Sequence, residues 1–483
     1  MTLLRNLLLL AFFVVSDAAT KASANSELNL PELGSSSSAA TSLTFEHELG
    51  QQFLRAVRAQ TPGFEDPLVI DYLEHLIFRL AEHSDLEDRR LYIILIKNPT
   101  INAFAAPGGI LGINHGLFLH AETRHEFSAI IAHELAHLSQ RHFARGIDAS
   151  KKAGVISIAG LLTGAILAAT AGGDAGMAAL AGSQGLASAQ KLSYSRTREA
   201  EADRIGIGTM MRADLDPRAM AYMFERLDRL TRGNGDQIPE FLRTHPVTKS
   251  RISDAYNQTE SIAKKKWDLD VDYQFMRIRV RVQTASNIDA TFNRLVHQGK
   301  TLQGLPADAN RYGLALANAR LNRGDEAIRI LDELDQDYPN YLPITLAKIE
   351  ALAASQRLGN AIEEASRALA INPDNYPLTM IKASLLNATE RSDLASELLA
   401  ELALARPFDD QVWFQLAESL GLANDIPGVH QARAEYFVLN GDLEGAIKQL
   451  GYALPLVRRN FQLSARIKQR IDDIWQLLDQ AKN

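Results

Sequence analysis

Three residues in the segment SAIIAHELAHLSQRHF (128–143) have types and spacing that can do chemistry: His133, Glu134 and His137, in the order H-E-x-x-H. On a helix, residues four apart share a face. The two imidazoles can therefore aim at one ion, while Glu134, one residue round, can reach a water on that ion. The chemistry would be metal-assisted hydrolysis. So short a pattern arises by chance in such a chain with a probability on the order of a few per cent, so it needs a companion. RTREAEADRIG (196–206) supplies one, with Glu199 and Asp203 at another four-residue step on a predicted helix. A third ligand from this second helix would complete the protein half of a tetrahedral site and leave one position for water. The chain has no cysteine, so the donors must be imidazole and carboxylate, and disulfides and a lipoprotein anchor are excluded.

H-E-x-x-H followed by E-x-x-x-D resembles the gluzincin metalloproteases. SRTREAEADRIG (195–206) is similar to the family of the CAAX prenyl protease and the heat-shock membrane metalloprotease. The resemblance implies one Zn2+ per chain, held by His133, His137 and Glu199. It implies that Asp203 accepts a hydrogen bond from a ligand histidine and fixes its tautomer. Glu201, the rival carboxylate, faces elsewhere if Glu199 and Asp203 share a face. Glu134 is the expected general base, taking a proton from water and passing it to the leaving amine. His245 lies in LRTHPVTKSRI (242–252), which resembles the family's His-Pro followed by an arginine, here Arg251. Two roles stay open for it: donating to the developing oxyanion, or occupying the fourth zinc position until its loop moves. The hazard of an unrestrained protease favours the second.

These residues need elements to position them. Thr123 and Glu126 match a capping box, so a helix starting there carries H-E-x-x-H about two turns in. Before it, LYIILIK (91–97), INAFAA (101–106) and ILGI (110–113) are β-rich runs split by Asn98-Pro99 and Pro107-Gly108-Gly109, which predicts a small antiparallel sheet. INAFAA, with Asn102 and Phe104, is placed to offer an edge to which an extended substrate adds as a strand. His115, His120, His125 and His142 have no matching partner spacing and read as structural or surface groups. Glu122, Glu126 and Glu201 read as solvated helix charges.

The C-terminal third is periodic. Pro339, Pro373 and Pro407 recur every 34 residues, as do Ala327, Ala361 and Ala395. This resembles the tetratricopeptide repeat, helix pairs that bury their apolar faces only against neighbours. The unit over 413–439 reads as irregular, with Pro427 where a helix would begin. GDLEGAIKQL (441–450) reads as a second-helix segment half a repeat out of phase, and 457–481 as a capping helix. At the other end, Arg5, an apolar run over 7–15 and small residues to Ala24 have the layout of a secretory signal peptide. Residues 153–173 are uncharged and Gly-rich. Their weak hydrophobicity favours a helical hairpin over 153–190 that packs on the protein or touches a membrane surface, rather than a span.

The 483 residues, 46% hydrophobic and 23% charged, are long enough for several cores, and a net charge of −7 argues against nucleic acid as a partner. The expected fold is an α+β zincin-like metalloprotease domain followed by an all-α tetratricopeptide array. The expected organisation is signal peptide 1–24, protease domain 43–252, helical connector 253–304 and repeats 305–483. Taken together, leader, protease core and repeats resemble a family of Gram-negative periplasmic proteases concerned with outer-membrane β-barrel assembly. That resemblance implies periplasmic location, zinc-dependent endopeptidase and chaperone-like activity, β-barrel clients, and the barrel assembly machinery as partner. A repeat scaffold with dispensable proteolysis and a membrane-embedded metalloprotease are the alternatives.

Overall fold

Side-chain caps set where the first helices begin. The computed structural model describes residues 42–146, 196–233, 239–263 and 265–482; the expected leader and the segment 153–190 lie outside the described residues. Ser42 accepts from Phe45 N–H at the start of α1 (Leu43–Gln60). Asp66 accepts from the N–H groups of Leu68 and Val69 at the start of α2 (Pro67–Glu82). Pro67 falls in the first turn, where its missing N–H leaves no helical bond unmade. Leu68, Val69, Leu73, Leu76, Ile77 and Leu80 form the buried side of α2, at the three- and four-residue steps of one helical face.

Three short strands follow: β1 (Tyr92–Ile96), β2 (Ala103–Ala106) and β3 (Ile110–Asn114). The sheet is not antiparallel throughout, as the sequence had led us to expect. Its order is β1-β3-β2; β2 and β3 form an antiparallel hairpin with Phe104 opposite Gly112, whereas β1 runs parallel to β3 with Tyr92 opposite Ile110. Residues 97–102 carry the chain past the position that β3 will take, so the hairpin returns β3 between its neighbours. Turn residues locate strands, but they do not state the order of pairing. Among the described residues β2 is therefore an edge strand.

After α3 (Gly116–His120), α4 (Arg124–Ser139) opens on Thr123, whose hydroxyl accepts from Glu126 N–H at 3.1 Å. The Glu126 carboxylate reaches past the cap to accept from Glu122 N–H at 2.6 Å. Every residue from His125 to His137 is buried, so α4 is a central helix, not an amphipathic one on the surface. Glu126 is accordingly no solvated charge; it is buried and paired with Arg226 at 3.0 Å. Around α4 pack α2, β2, α5 (Arg196–Arg212) and α6 (Ala219–Gly233). Then come α7 (Glu240–Thr244) and α8 (Lys249–Glu260).

The remainder is helical. The pair α9 (Val271–Gln283) and α10 (Ile288–Gly299) leads into hairpins α11 (Leu305–Arg320) with α12 (Gly324–Asp337), α13 (Leu342–Ala354) with α14 (Leu358–Ile371), and α15 (Tyr376–Ala388) with α16 (Ser392–Ala405). Two more follow: α17 (Asp410–Leu422) with α18 (Ile426–Leu439), and α19 (Leu443–Leu456) with α20 (Phe461–Lys482). Asn322, Gln356, Glu390 and Asn424, each 34 residues after the last, turn their hairpins in the left-handed region with φ between 58° and 61°. The unit over 413–439 is thus in step, with Pro427 in the first turn of α18. GDLEGAIKQL is the first helix of a pair, not the second, which accounts for its half-period offset. One buried cluster runs from Phe64 to Leu385, so the sheet, α4 and the first repeats share a core. Within it, buried Arg279 pairs with Asp66 at 2.7 Å and reaches Glu350 at 3.1 Å, tying α9 to the cap of α2 and to α13.

Candidate metal centre

The central position of α4 buries His133, Glu134 and His137 almost completely, so their polar atoms must find partners inside the protein. Helix α5 supplies them because it lies close. A Cβ on Gly206 would sit 3.2 Å from the backbone of Ala132 and His133, and this approach brings the preceding turns of α5 against the motif. Glu199 Oε2 lies 3.5 Å from His133 Nε2, and Glu199 Oε1 lies 3.5 Å from His137 Nε2. The two imidazole Nε2 atoms are 3.0 Å apart.

A fourth donor comes from outside both helices. His245 follows α7, with Nδ1 3.3 Å from His133 Nε2 and 3.0 Å from Glu199 Oε1. Its ring stacks on Phe241, and Phe241 N–H donates to Ile101 O, so the segment is fixed to the loop before β2. His133, His137, Glu199 and His245 each offer one atom to a group spanning no more than 4.8 Å. Three imidazole nitrogens and a carboxylate suit a borderline divalent ion. Both Glu134 oxygens are buried and lack a short hydrogen bond; the nearest charged partner is His245 Nε2, 3.5 Å from Oε1. Acceptors so weakly satisfied fit a site whose ion and water complete it.

Arg251 organises the far side. It grips Asp203 through Nε and Nη2, both at 2.7 Å, lies 2.8 Å from Glu199 Oε2, and donates to Pro246 O beside His245. Asp203 Oδ1 lies 2.9 Å from His133 Nδ1, behind the nitrogen that faces the centre. With no ion bound, these charges set the titration behaviour. Burial opposes protonation of His133, but Asp203 and Glu199 outweigh it and push the imidazole up to about 9. Burial pushes His137 well below its ordinary value, reinforced by His133 and His245. Burial alone would raise Glu199, yet His245 and His133 hold it far below the usual carboxylate range. Burial raises Glu134; His245 and the Ala105 backbone N–H of β2 work against that rise.

The sequence has relatives that share this arrangement of segments. The model of peptidase family M48 matches residues 67–259. A β-barrel assembly-enhancing protease of Escherichia coli (strain K12) is 31% identical over 466 residues, covering 95% of this chain and 94% of the relative. The chain belongs to the family of β-barrel assembly-enhancing proteases. The protein of that name from Yersinia pestis is 30% identical over 461 residues, covering 93% of this chain and 92% of its own. The mitochondrial metalloendopeptidase OMA1 of Schizosaccharomyces pombe is 28% identical over 216 residues, 44% of this chain and 60% of that one. The protein is a metalloprotease in which an M48 domain precedes an all-helical region.

In this metalloprotease β2 packs on α4, next to the centre. The residues expected to mark the substrate strand are held within the sheet: Asn102 is buried, and its backbone carbonyl accepts from Asn114 N–H. Phe104 lays its ring over Gly112 and edge-on to Phe53. By the alternation of an antiparallel ladder, the outward backbone groups belong to Ala103 and Ala105. His115 and His125 are buried away from the centre, and Trp267 packs against His125.

His142 departs from its expected bland role. It is fully buried, with Nδ1 2.8 Å from His137 Nδ1 and Nε2 3.0 Å from Glu201 Oε2. Glu201 also accepts from Arg145 at 3.0 Å, so it is a paired group and not merely a solvated charge. Five-residue spacing from His137 offered no signal for this contact. Glu240 is the other group that sequence reasoning missed; it is buried beside Thr100, and burial pushes its carboxyl up to about 7.

Proposed function

We propose that this protein is a zinc endopeptidase in which His133, His137 and Glu199 hold the ion and Glu134 is the general base. The convergence of those donors beside the buried carboxylate of Glu134, whose Oε1 lies 3.5 Å from His245 Nε2, carries the reading. When bound, zinc supplies Lewis acidity toward a peptide carbonyl and toward water. Glu134 takes the proton of the attacking water and passes it to the leaving amine. Asp203, clamped by Arg251, holds His133 in the tautomer that turns Nε2 to the ion. The free edge of β2 receives an extended substrate through the backbone of Ala103 and Ala105, and Asn102 and Phe104 brace the strand from within.

His245 takes the fourth corner and restrains the enzyme until its segment moves; its nitrogen lies as close to Glu199 as a hydrogen-bond partner would. By analogy with its named relatives the protein acts in the periplasm on outer-membrane β-barrel proteins during assembly, with the barrel assembly machinery as partner and a chaperone-like contribution from the repeats. A cavity of about 520 Å³ between the outer edge of β1 and residues 405–411 is a place where a client chain can be held. No helix among the described residues is long and apolar enough to cross a membrane. We assign protease, connector and repeat functions to residues 43–252, 253–304 and 305–483, with the protease and the first repeats sharing one core.

The test is metal content and casein cleavage for the wild type and Glu134→Gln. One equivalent of zinc in both, with cleavage reduced about 10²- to 10⁴-fold in the variant, is expected. Undiminished cleavage by the variant, or no bound metal in the wild type, would overturn the reading.

A further inference from the structure

We infer that His142 and Glu201 form a relay that positions His137 for the ion. The inference rests on the proposed ligand set and goes beyond it, since spacing gives neither residue a role. His137 turns Nε2 to the centre, so its other nitrogen must be satisfied elsewhere, and that nitrogen meets His142 Nδ1 at 2.8 Å. Two facing ring nitrogens can share only one proton. A ligating Nε2 offers its lone pair outward, so the His137 proton sits on Nδ1 and is donated to His142. His142 Nδ1 is then the acceptor and its proton sits on Nε2, where Glu201 Oε2 accepts it at 3.0 Å. Arg145 Nη2, 3.0 Å from the same oxygen, holds the carboxylate in place. With Nε2 of His137 committed to the ion, these contacts give each shared proton one position.

The arrangement parallels the other ligand. Asp203 backs His133 directly and is held by Arg251; Glu201 backs His137 through an intervening imidazole and is held by Arg145. Partners of this kind fix the ring and raise the basicity of the ligating nitrogen, and their loss typically costs 10- to 100-fold in metal affinity. The two arms differ in exposure. Asp203 and Arg251 are buried, whereas the Glu201 and Arg145 side chains are 27% and 48% exposed, so the His137 arm ends at the surface.

The experiment measures zinc affinity by competition with a chromophoric chelator on the full chain, with thermal melts of the chelated protein as a folding control. His142→Phe keeps the ring volume but removes the acceptor, and should weaken zinc about 10- to 100-fold. His142→Asn puts an amide oxygen where Nδ1 stood and should recover much of that loss; a group that only filled space would show no such recovery. Glu201→Gln should weaken zinc in the native background and add nothing on top of His142→Phe. Unchanged affinity in His142→Phe, or a loss that His142→Asn does not recover, overturns the relay while leaving the ligand set standing. Should His142→Phe fail to melt cooperatively, Glu201→Gln alone decides, and unchanged affinity there overturns it. A wild type that binds no zinc sinks the ligand set itself.

Discussion

Glu240 gives the sharpest link between a measurable pH dependence and the segment that carries His245. Its side chain is buried at the start of α7, Oε2 accepts from Thr100 Oγ1 at 3.2 Å, and Oε1 has no partner among the described residues. Burial raises the carboxyl to about 7; Thr100, Arg243 and Asn114 only moderate that rise. In the closed segment the group therefore keeps its proton to near neutrality, whereas in an opened, solvated segment it loses it near 4.5. The closed form is favoured most fully below pH 4.5, loses that advantage as pH rises to 7, and is flat above. At about 1.4 kcal/mol per pKa unit the total is about 3 kcal/mol. The reporter is the amide of His245, whose N–H donates to Phe241 O at 2.8 Å, with Phe241 N–H donating to Ile101 O. Hydrogen exchange of 239–245, corrected for intrinsic base catalysis, should show the opening free energy falling by about that amount between pH 4.5 and 7. In Glu240→Gln the fall should vanish. A variant that keeps the wild-type slope, or a wild type whose segment is more protected as pH rises, would refute the assignment.

Three further outcomes test the rest of the frame. Arg279→Met leaves Asp66 and Glu350 facing each other without a cation, at a cost of about 3–5 kcal/mol. Urea denaturation should show the loss, and a change below about 1 kcal/mol would mean the buried network does not tie α2 to the repeats. His245→Ala should raise casein cleavage severalfold if His245 restrains the centre; a fall in kcat would assign it to oxyanion stabilisation instead. Gly112→Ala would put a Cβ 2.1 to 2.6 Å from the Phe104 ring atoms. The ring must move and take β2 with it, which should cost about 1–3 kcal/mol and raise KM more than it lowers kcat; unaltered KM would separate β2 from substrate binding.

What the sequence made legible was what a single helix dictates. His133 and His137 share a face because they are four apart, and so do Glu199 and Asp203; the approach of the two helices then follows from Gly206. The 34-residue step of Pro339, Pro373 and Pro407 was equally local. The unit over 413–439 looked irregular because of Pro427, which in fact takes the first turn of α18, where its missing N–H costs nothing. Its backbone turns at Asn424 with φ 61°, as its predecessors do. The sheet shows the first limit. Residue types marked all three strands, but the insertion of β3 between β1 and β2 is a property of the path of 97–102, which no alternation pattern encodes.

The second limit is the relay, and its cause is a single backbone reversal. Helix α4 ends at Ser139, and Arg141 adopts φ 48°, a left-handed conformation. Continued helix would carry residue 142 about 140° round from residue 137, away from its face. The reversal at Arg141 instead folds His142 back beneath His137. Helical spacing therefore argues against the pair, and only the turn makes it. The same turn places Arg141 against Glu46 of α1, so the contact that anchors the turn to another helix also fixes the imidazole behind the ligand. Charge at position 46 should accordingly be felt at the ion. In Glu46→Gln the loss of the Arg141 anchor should loosen His142 and weaken zinc in the same direction as His142→Phe, by a smaller factor. Competition titration of that variant, more than one helix away from any proposed ligand, separates a relay held by the fold from one held by its own hydrogen bonds. Unchanged affinity would mean the turn keeps its shape without Glu46.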